Sequence, residues 1–184
     1  MTEENSGPIL TDAYPQHLEA DVLLSDGGVV HLRPSLPSDA DRIRAMHERM
    51  SARSLYLRYF SVVTQVTDKQ IELFTKVDEL NSALIAELGG QIIAAGTYHR
   101  NSTGDTDAAE VAFIVEDAWQ HHGVGAAMFD LLVARACELG IRTLVAETLA
   151  DNRAMQTVFR HGGWPVTLRS ESGTTHVRIE LPDR

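Results

Sequence analysis

Residues 110–127 read EVAFIVEDAWQHHGVGAA, and the fold is decided by how this stretch is parsed. The apolar run Val111 to Val115 predicts a buried strand, and Glu116-Asp117 a short polar turn. From Val124 onward, Met128, Leu131, Leu132, Ala136 and Leu139 recur with a helical period. The unit is therefore strand, small-residue turn, helix. The first turn of a helix carries backbone N–H groups without an internal partner. The helix dipole adds about half a positive charge there, and glycine lets a ligand come close to that backbone. Together these make a cradle for an anion, typically a phosphate.

The spacing narrows the guest. A P-loop needs Gly-Lys-Ser/Thr at the helix start, which is absent, and the dinucleotide fingerprint G-x-G-x-x-G meets Met128 at its third position. What remains is Q-x-x-G-x-G/A after a strand: Gln120, Gly123 and Gly125, with Ala126 following. The competing reading is a plain strand–helix turn that uses glycine only for tight packing. In the first form the segment resembles the pyrophosphate-binding signature of the GNAT superfamily, the acyl-CoA-dependent N-acyltransferases.

With 184 residues the chain is expected to form one domain able to bury its own core. Cys137 is the single cysteine, which excludes an internal disulfide framework and reads as a packed thiol in the helix after the glycine turn. No run is long and apolar enough for a membrane span. The start, MTEENSGPIL, lacks the basic residues and apolar core of a secretory signal, so a cytoplasmic location is expected. The formal charge is −10, from 16 Lys+Arg against 26 Asp+Glu, which argues against a nucleic-acid partner and suits a cationic one such as an amine. A polyanionic cofactor then needs a locally positive site, part of which a helix N-terminus supplies.

Taken in order, residues 1–18 are polar and without period and read as a disordered or loosely attached tail; residues 19–184 form the domain. Asp21–Leu24 and Val29–Pro34 flank Gly27-Gly28 as a hairpin, with Pro34 ending the second strand. Ser38 or Asp39 caps a helix with Ile43, Met46 and Met50 on one face. Ser51–Phe60, SARSLYLRYF, reads as a second helix with Leu55, Tyr59 and Phe60 turned inward, or with Tyr56, Arg58 or Tyr59 edging a substrate cleft. Thr67-Asp68 caps a third helix running to about Val77. Ser82–Leu88 and Gln91–Tyr98 pair across Gly89-Gly90, and His99–Ala108 is a polar loop. After the signature unit come a strand at Thr143–Glu147, a helix from Asp151-Asn152 to about His161, and two closing strands around Gly173. The predicted order is β β α α α β β β α β α β β. It makes a mixed α/β domain, a central, mostly antiparallel sheet flanked by helices.

That order is similar to the GNAT fold over about residues 29–181. Asn152 opens its helix in the N-x-x-A/M-x-x-x-F/Y pattern of these enzymes, and Gly162-Gly163-Trp164 stands where they usually have Gly-Phe. Within the superfamily, two stretches resemble bacterial protein lysine acetyltransferases of the Pat type. Ser51–Phe60 is like their S-x-x-S-x-Y-x-R-F/Y-F, and Ala109–Val115 like their A-E-hydrophobic-A-F-hydrophobic-V strand. The resemblance implies acetyl-CoA as co-substrate with no metal, and Glu110 as general base. It implies a cofactor site at Phe113, Ile114, Val115, Gln120, His121, His122, Gly123, Val124, Gly125, Ala126 and Asn152. It also implies that the strand around Phe113–Val115 splays from its neighbour and bonds the pantetheine arm. A protein lysine or a small amine is the expected acceptor, and the chain is expected as a monomer or homodimer. Many relatives carry a further cyclic-nucleotide or acyl-CoA synthetase domain, and neither is expected within these 184 residues.

The chemistry needs a base. A free lysine has a pKa of about 10.4, so at neutral pH about one in a few thousand is nucleophilic, and deprotonation costs about 4.6 kcal/mol. A carboxylate at the cleft can take that proton. Glu87, Glu116 and Glu147 compete with Glu110 for this role, Glu116-Asp117 reading mainly as turn chemistry. Many superfamily members place an acidic Tyr seven residues after the Asn; here that position is Phe159, and Tyr98 is a further candidate proton donor. The thiol leaving group is acidic enough to need no dedicated acid. His121 and His122 read either as phosphate contacts that make cofactor affinity pH-dependent or as two solvated loop residues. No H-x-x-x-H or paired cysteine points to a metal site. Three functions stay open: lysine acetylation on proteins, acetylation of a small amine, and a silent acyl-CoA-binding domain.

Overall fold

The computed structural model of the chain describes residues 16–76, 81–100 and 107–182. Its strands are β1 (Ala20–Leu23), β2 (Val29–Pro34), β3 (Asn81–Leu88), β4 (Gln91–Arg100), β5 (Ala108–Val115), β6 (Thr143–Leu149), β7 (Val166–Glu171) and β8 (Thr174–Glu180). The helices are α1 (Ala40–Glu48), α2 (Ala52–Tyr59), α3 (Asp68–Glu72), α4 (Val124–Glu138) and α5 (Arg153–His161). The strands form one sheet in the order β1-β2-β3-β4-β5-β6-β8-β7. The order of elements along the chain is the one the sequence predicts. The clearest sequence hairpin, β3–β4, turns through Gly89 and Gly90, both at positive φ, as a two-residue connection requires.

One pair in the sheet, β5 with β6, is parallel, and it is short. Only Ala108, Ala109 and Glu110 find partners there, opposite Thr143, Leu144 and Val145. On its other edge β5 stays paired with β4 through Val115, opposite Ala94. Past Glu110, β5 and β6 therefore diverge, and the sheet opens like a split seam between Val111–Val115 and Ala146–Leu149.

Both faces of the sheet are covered, which is why β5 reads as a continuous apolar run rather than an alternation. Successive side chains still point to opposite faces. Phe113 joins the larger core under α4 and α5, together with Met128, Phe129, Leu132 and Phe159. Ile114 joins a smaller core with Ile43, Met46, Leu55, Ile71 and Phe74 from the α1–α3 side. Glu110 and Ala112 share the Ile114 face by that alternation, so Glu110 looks toward α2.

Several expectations need correction. The N-terminal tail is anchored by its last residues. Gln16–Leu18 form one 3-10 turn, Leu18 is buried in the larger core, and His17 Nε2 lies 2.9 Å from Glu138 Oε2. Residues 1–15 lie outside the described residues. Of the two cap candidates for α1, Asp39 is the buried one, and Arg33 engages it bidentately at 2.8 Å; Ser38 is exposed. Phe60 does not turn inward: it ends α2 at φ 56 and is 39% exposed. The third helix stops at Glu72, after a Thr67–Gln70 capping box, and its expected end at Val77 lies outside the described residues. His99 and Arg100 continue β4 rather than opening a loop, and residues 101–106 of that loop lie outside the described residues.

The smaller core contains a buried imidazole. His47 Nδ1 faces the Ile43 carbonyl at 2.8 Å, so Nδ1 carries the proton and Nε2 accepts from the Tyr59 hydroxyl at 2.8 Å. Phe74 packs against the ring, with centroids 5.5 Å apart. Burial, with the nearby charges of Arg58 and Arg44, pushes this histidine below its ordinary value. The folded state then binds fewer protons than the unfolded one, so stability falls as pH drops below about 6.5. His47 should contribute up to about 1.4 kcal/mol per pH unit to that fall. Urea unfolding at pH 5 and pH 7 should show the loss, and His47→Gln should flatten it.

Candidate active site

The split between β5 and β6 leads into a cleft of about 620 Å³. One wall is β5 from Glu110 to Val115. The opposite wall is Glu147 and Thr148 of β6 with Asn152 and the exposed face of α5; the floor is the glycine turn and the first residues of α4. On the sheet face toward α2, Met50, Ser54, Leu57, Arg58 and Phe60 close it.

The glycine turn is built for an anion. Gly123 caps α4 at φ 93, a left-handed value that L side chains rarely adopt, and no side chain caps the helix. The N–H groups of the first turn are thus left for a ligand. A Cβ on Gly125 would stand 3.3 Å from Val158 Cγ2 and 3.8 Å from Val115 Cγ2, so the absent side chain lets α4 seat between α5 and β5. Asn152 accepts the Met155 N–H at 3.2 Å and thereby caps α5 at the edge of the cleft. Two polar atoms are buried at the cleft without a hydrogen-bond partner: Thr148 Oγ1 and Arg58 Nε. Groups left unsatisfied at an open cavity fit a site that a polar ligand completes.

The sequence candidates separate clearly. Glu110, Phe113, Ile114, Val115, Gln120, His121, Gly123, Gly125, Ala126 and Asn152 all line the cleft. Val124 is buried in the larger core. His122 turns away: its Nδ1 bonds the Gln120 carbonyl at 2.8 Å, its ring packs on Trp119, and its Nε2 lies 3.9 Å from Asp26 in the β1–β2 turn. Gln120 lines the cleft but spends its amide on structure, donating to Ser54 Oγ and to the Val115 carbonyl, both at 3.0 Å. Tyr98 is buried in the larger core, away from the cleft lining. Phe159 borders the cleft and packs against Phe113 and Phe129, with centroids 6.1 and 5.8 Å away.

The four competing carboxylates are sorted by their partners. Glu87 is held by Arg33 and Arg42 and does not line the cleft. Glu116 is gripped by Arg49, which donates to both its oxygens at 3.1 and 2.9 Å. Glu147 lines the cleft beside its ion-pair partner His176, at 3.1 Å. Glu110 lines the cleft at the vertex of the split, exposed and without a hydrogen bond or ion pair among the described residues.

Sequence reasoning missed the wall that α5 supplies through Arg153, Met155, Thr157 and Val158, and it missed what Asp117 does. Asp117 accepts from Ser51 N at 2.9 Å, Ser51 Oγ at 2.6 Å and Ser54 Oγ at 2.8 Å. Burial pushes this carboxyl up, but the Ser51 and Ser54 hydrogen bonds win and hold it below the usual carboxylate range. The signal was present in the S-x-x-S spacing, which puts both hydroxyls on one turn of α2. Arg153 adds positive charge along the cleft, and the His121 and His161 imidazoles line it as well. Among the described residues, no group of His, Cys, Asp and Glu is arranged to hold a metal ion, and no helix is long and apolar enough to cross a membrane.

Residues 49–163, most of the cleft, match the model of the acetyltransferase (GNAT) family. The chain belongs to that family. It is 29% identical over 164 residues to Acetyltransferase Pat of Mycolicibacterium smegmatis, a match that covers 88% of this chain and 48% of the relative. The chain thus spans about half the length of that curated relative. Among solved structures, the GNAT domain of S. lividans PAT matches with a TM-score of 0.84 and 37% identity, over 92% of this chain and all of that one. The yncA protein of Salmonella typhimurium, solved with its cofactor acetyl-CoA, shares the fold at a TM-score of 0.67 with 18% identity, over 84% of this chain and 95% of that one. As a GNAT domain, the chain carries its β5–β6 split beside the glycine turn.

Asp117→Ala removes three hydrogen bonds that fix the start of α2. It should cost about 1–2 kcal/mol in denaturant unfolding, whereas Glu116→Ala, which frees only a partly exposed ion pair, should cost less.

Proposed function

We propose that the chain is an acetyl-CoA-dependent N-acetyltransferase acting on protein lysine side chains, with Glu110 as general base. The observation that carries this is the placement of Glu110. It is the last residue of β5 paired with β6, it faces the cleft, and no neighbour ties up its carboxylate. Membership of the GNAT family and the likeness to Acetyltransferase Pat and to the GNAT domain of S. lividans PAT support the reaction; the acceptor class rests on the resemblance of Ser51–Phe60 and Ala109–Val115 to Pat-type lysine acetyltransferases.

Acetyl-CoA supplies the acetyl group as a thioester. The first-turn N–H groups of α4, from Gly123 to Ala126, are suited to its pyrophosphate, with the Arg153 guanidinium as a cation and the His121 imidazole nearby. The free edge of β5 from Val111 to Val115 offers backbone groups to the amide-bearing arm, as an added strand would use them. Backbone N–H on that edge is also suited to the carbonyl oxygen as it gains charge. The amine nitrogen bonds the acyl carbon and passes its proton to Glu110, directly or through water. The carbon–sulfur bond then breaks, and the sulfur leaves as a thiolate that takes a proton from solvent. Phe159 supplies no proton and packs as part of the cleft wall, consistent with a leaving group acidic enough to depart unaided.

A small amine remains the second acceptor class, because the acidic balance of the chain suits any cationic acceptor. Thiol release from acetyl-CoA, measured with lysine-bearing peptides and with a panel of free amines, should favour the peptides in kcat/KM. Higher values for a free amine would reverse the assignment. Glu110→Gln should retain coenzyme A affinity and lose turnover by a factor on the order of 10² to 10⁴. Binding calorimetry with coenzyme A should be weakened by His121→Ala and left unchanged by His122→Ala, since His121 alone of the two borders the cleft.

A further inference from the structure

Past Glu110, β5 and β6 share no strand hydrogen bonds, so other contacts must hold the two walls of the cleft at their spacing. One set lies on the α4–α5 face, where Gly125 lies against Val115 of β5 and Val158 of α5. The other lies on the α2 face. α2 lies against both β5 and β6 and so crosses the split. Its first turn is tied to the β5 side by Asp117, which accepts from Ser51 and Ser54, and by Gln120, which donates to Ser54. The same turn is tied to the β6 side by Arg53, whose Nη2 donates to Asp151 Oδ2 at 2.9 Å. Asp117 stands two residues past the end of β5, and Asp151 two residues past the end of β6, so both ties lie at the open end of the split. Among the described residues, Arg53–Asp151 is the one hydrogen bond or ion pair between α2 and the β6 wall.

Local structure does not call for this pair. The dipole at the start of a helix favours an acidic side chain, yet Arg53 is the second residue of α2. The two side chains are 64% and 62% exposed, so the pair adds little to the stability of the fold. Asp151 also has a nearer cation in sequence. The Arg153 side chain lines the cleft and makes no hydrogen bond or ion pair among the described residues, while Asp151 reaches across to α2. His121 and His161 line the cleft too, the one in the glycine turn and the other 3.9 Å from Asp130 of α4, so neither joins α2 to the β6 wall.

We propose that Arg53 is a positioning residue for coenzyme A: through Asp151 it holds the wall that begins at Asn152 at a fixed distance from β5, so the cleft has its bound width before the cofactor enters. This rests on the reading that coenzyme A lies in the split. A wall already in place loses no freedom when the ligand binds, and that appears as affinity. The pair sits at the open end, whereas Glu110, opposite Val145, marks the vertex. It therefore sets how tightly the cofactor is held and leaves the rate of acyl transfer unchanged.

Calorimetry with coenzyme A, and kinetics with acetyl-CoA and a lysine peptide, should be run on Arg53→Gln, Asp151→Asn, the two combined, and the reversed pair Arg53→Asp with Asp151→Arg. Each single change should weaken coenzyme A about two- to fivefold, the range of one exposed ion pair. KM for acetyl-CoA should rise by the same factor with kcat unchanged. The combined variant should be no weaker than either single one, and the reversed pair should recover most of the affinity. The sign at Asp151 is decisive. Coenzyme A is polyanionic, so if the two residues acted only through their charge, beside Arg153, Asp151→Asn would bind it more tightly. That result overturns the inference, as do a reversed pair no better than the single variants and a loss of affinity matched by a fall in the unliganded thermal midpoint. If wild type itself binds no coenzyme A, the reading of the split fails and the inference falls with it. If wild type binds and all four variants match it, only the role of Arg53 fails.

Discussion

The site depends on a failure of pairing. β5 and β6 run parallel for three residues and then part, although an unpaired strand edge inside a sheet is costly unless something occupies it. The parting is built into the packing on both sides. β5 cannot follow β6, because it stays in register with β4 as far as Val115. β6 cannot follow β5, because β8 pairs with it along its whole length, from Thr143 to Leu149. α4 begins at the open end of the gap, where Gly125 lies against Val115 and Val158. The result is a strand edge, a helix N-terminus and a carboxylate at one opening, each with bonding capacity that the fold does not use up.

The α2 side of the cleft is held by a separate set of bonds. Asp117 stands just after β5, yet its carboxylate holds Ser51, whose hydroxyl caps α2, and Ser54, more than sixty residues earlier in the chain. Ser54 passes the connection on to Gln120, whose amide also holds the Val115 carbonyl. Arg49 reaches from the end of α1 to Glu116 and to the Ile92 carbonyl. The polar turn between the signature strand and its glycine loop is therefore the joint between that loop and the wall that carries Arg58 and Phe60. Ordered this way, a small displacement of α2 would be felt at the glycine loop and at Glu110 together.

The order of elements was legible in the sequence because each has a local signal: paired glycines at the β3–β4 turn, helical spacing after Val124, and Asn152 and Thr67 as caps. The signature segment was legible for the same reason. What was not legible depends on pairing between distant segments. An apolar run such as Val111–Val115 reads alike whether its second edge is bonded or bare, so the width of the split could not be seen. Glu87, Glu116 and Glu147 stayed competitors of Glu110 until arginines 54 and 67 positions away, and a histidine on β8, were seen beside them. Tyr98 and His122 were candidates by type, but strand alternation buries the first, and the hydrogen bond to the Gln120 carbonyl turns the second outward. Phe60, aromatic and next to apolar neighbours, was expected inside; the left-handed end of α2 puts it at the cleft instead.

The central claim is that the split between β5 and β6 is where coenzyme A lies and that Glu110 faces its sulfur end. A crystal structure of the chain with coenzyme A tests it most directly. The account predicts the pyrophosphate against the N–H groups of Gly123 to Ala126, the arm bonded along Val111–Val115, and the sulfur between Glu110 and Phe159. Coenzyme A bound elsewhere, or a complex in which β5 and β6 pair beyond Glu110 and close the gap, would contradict it.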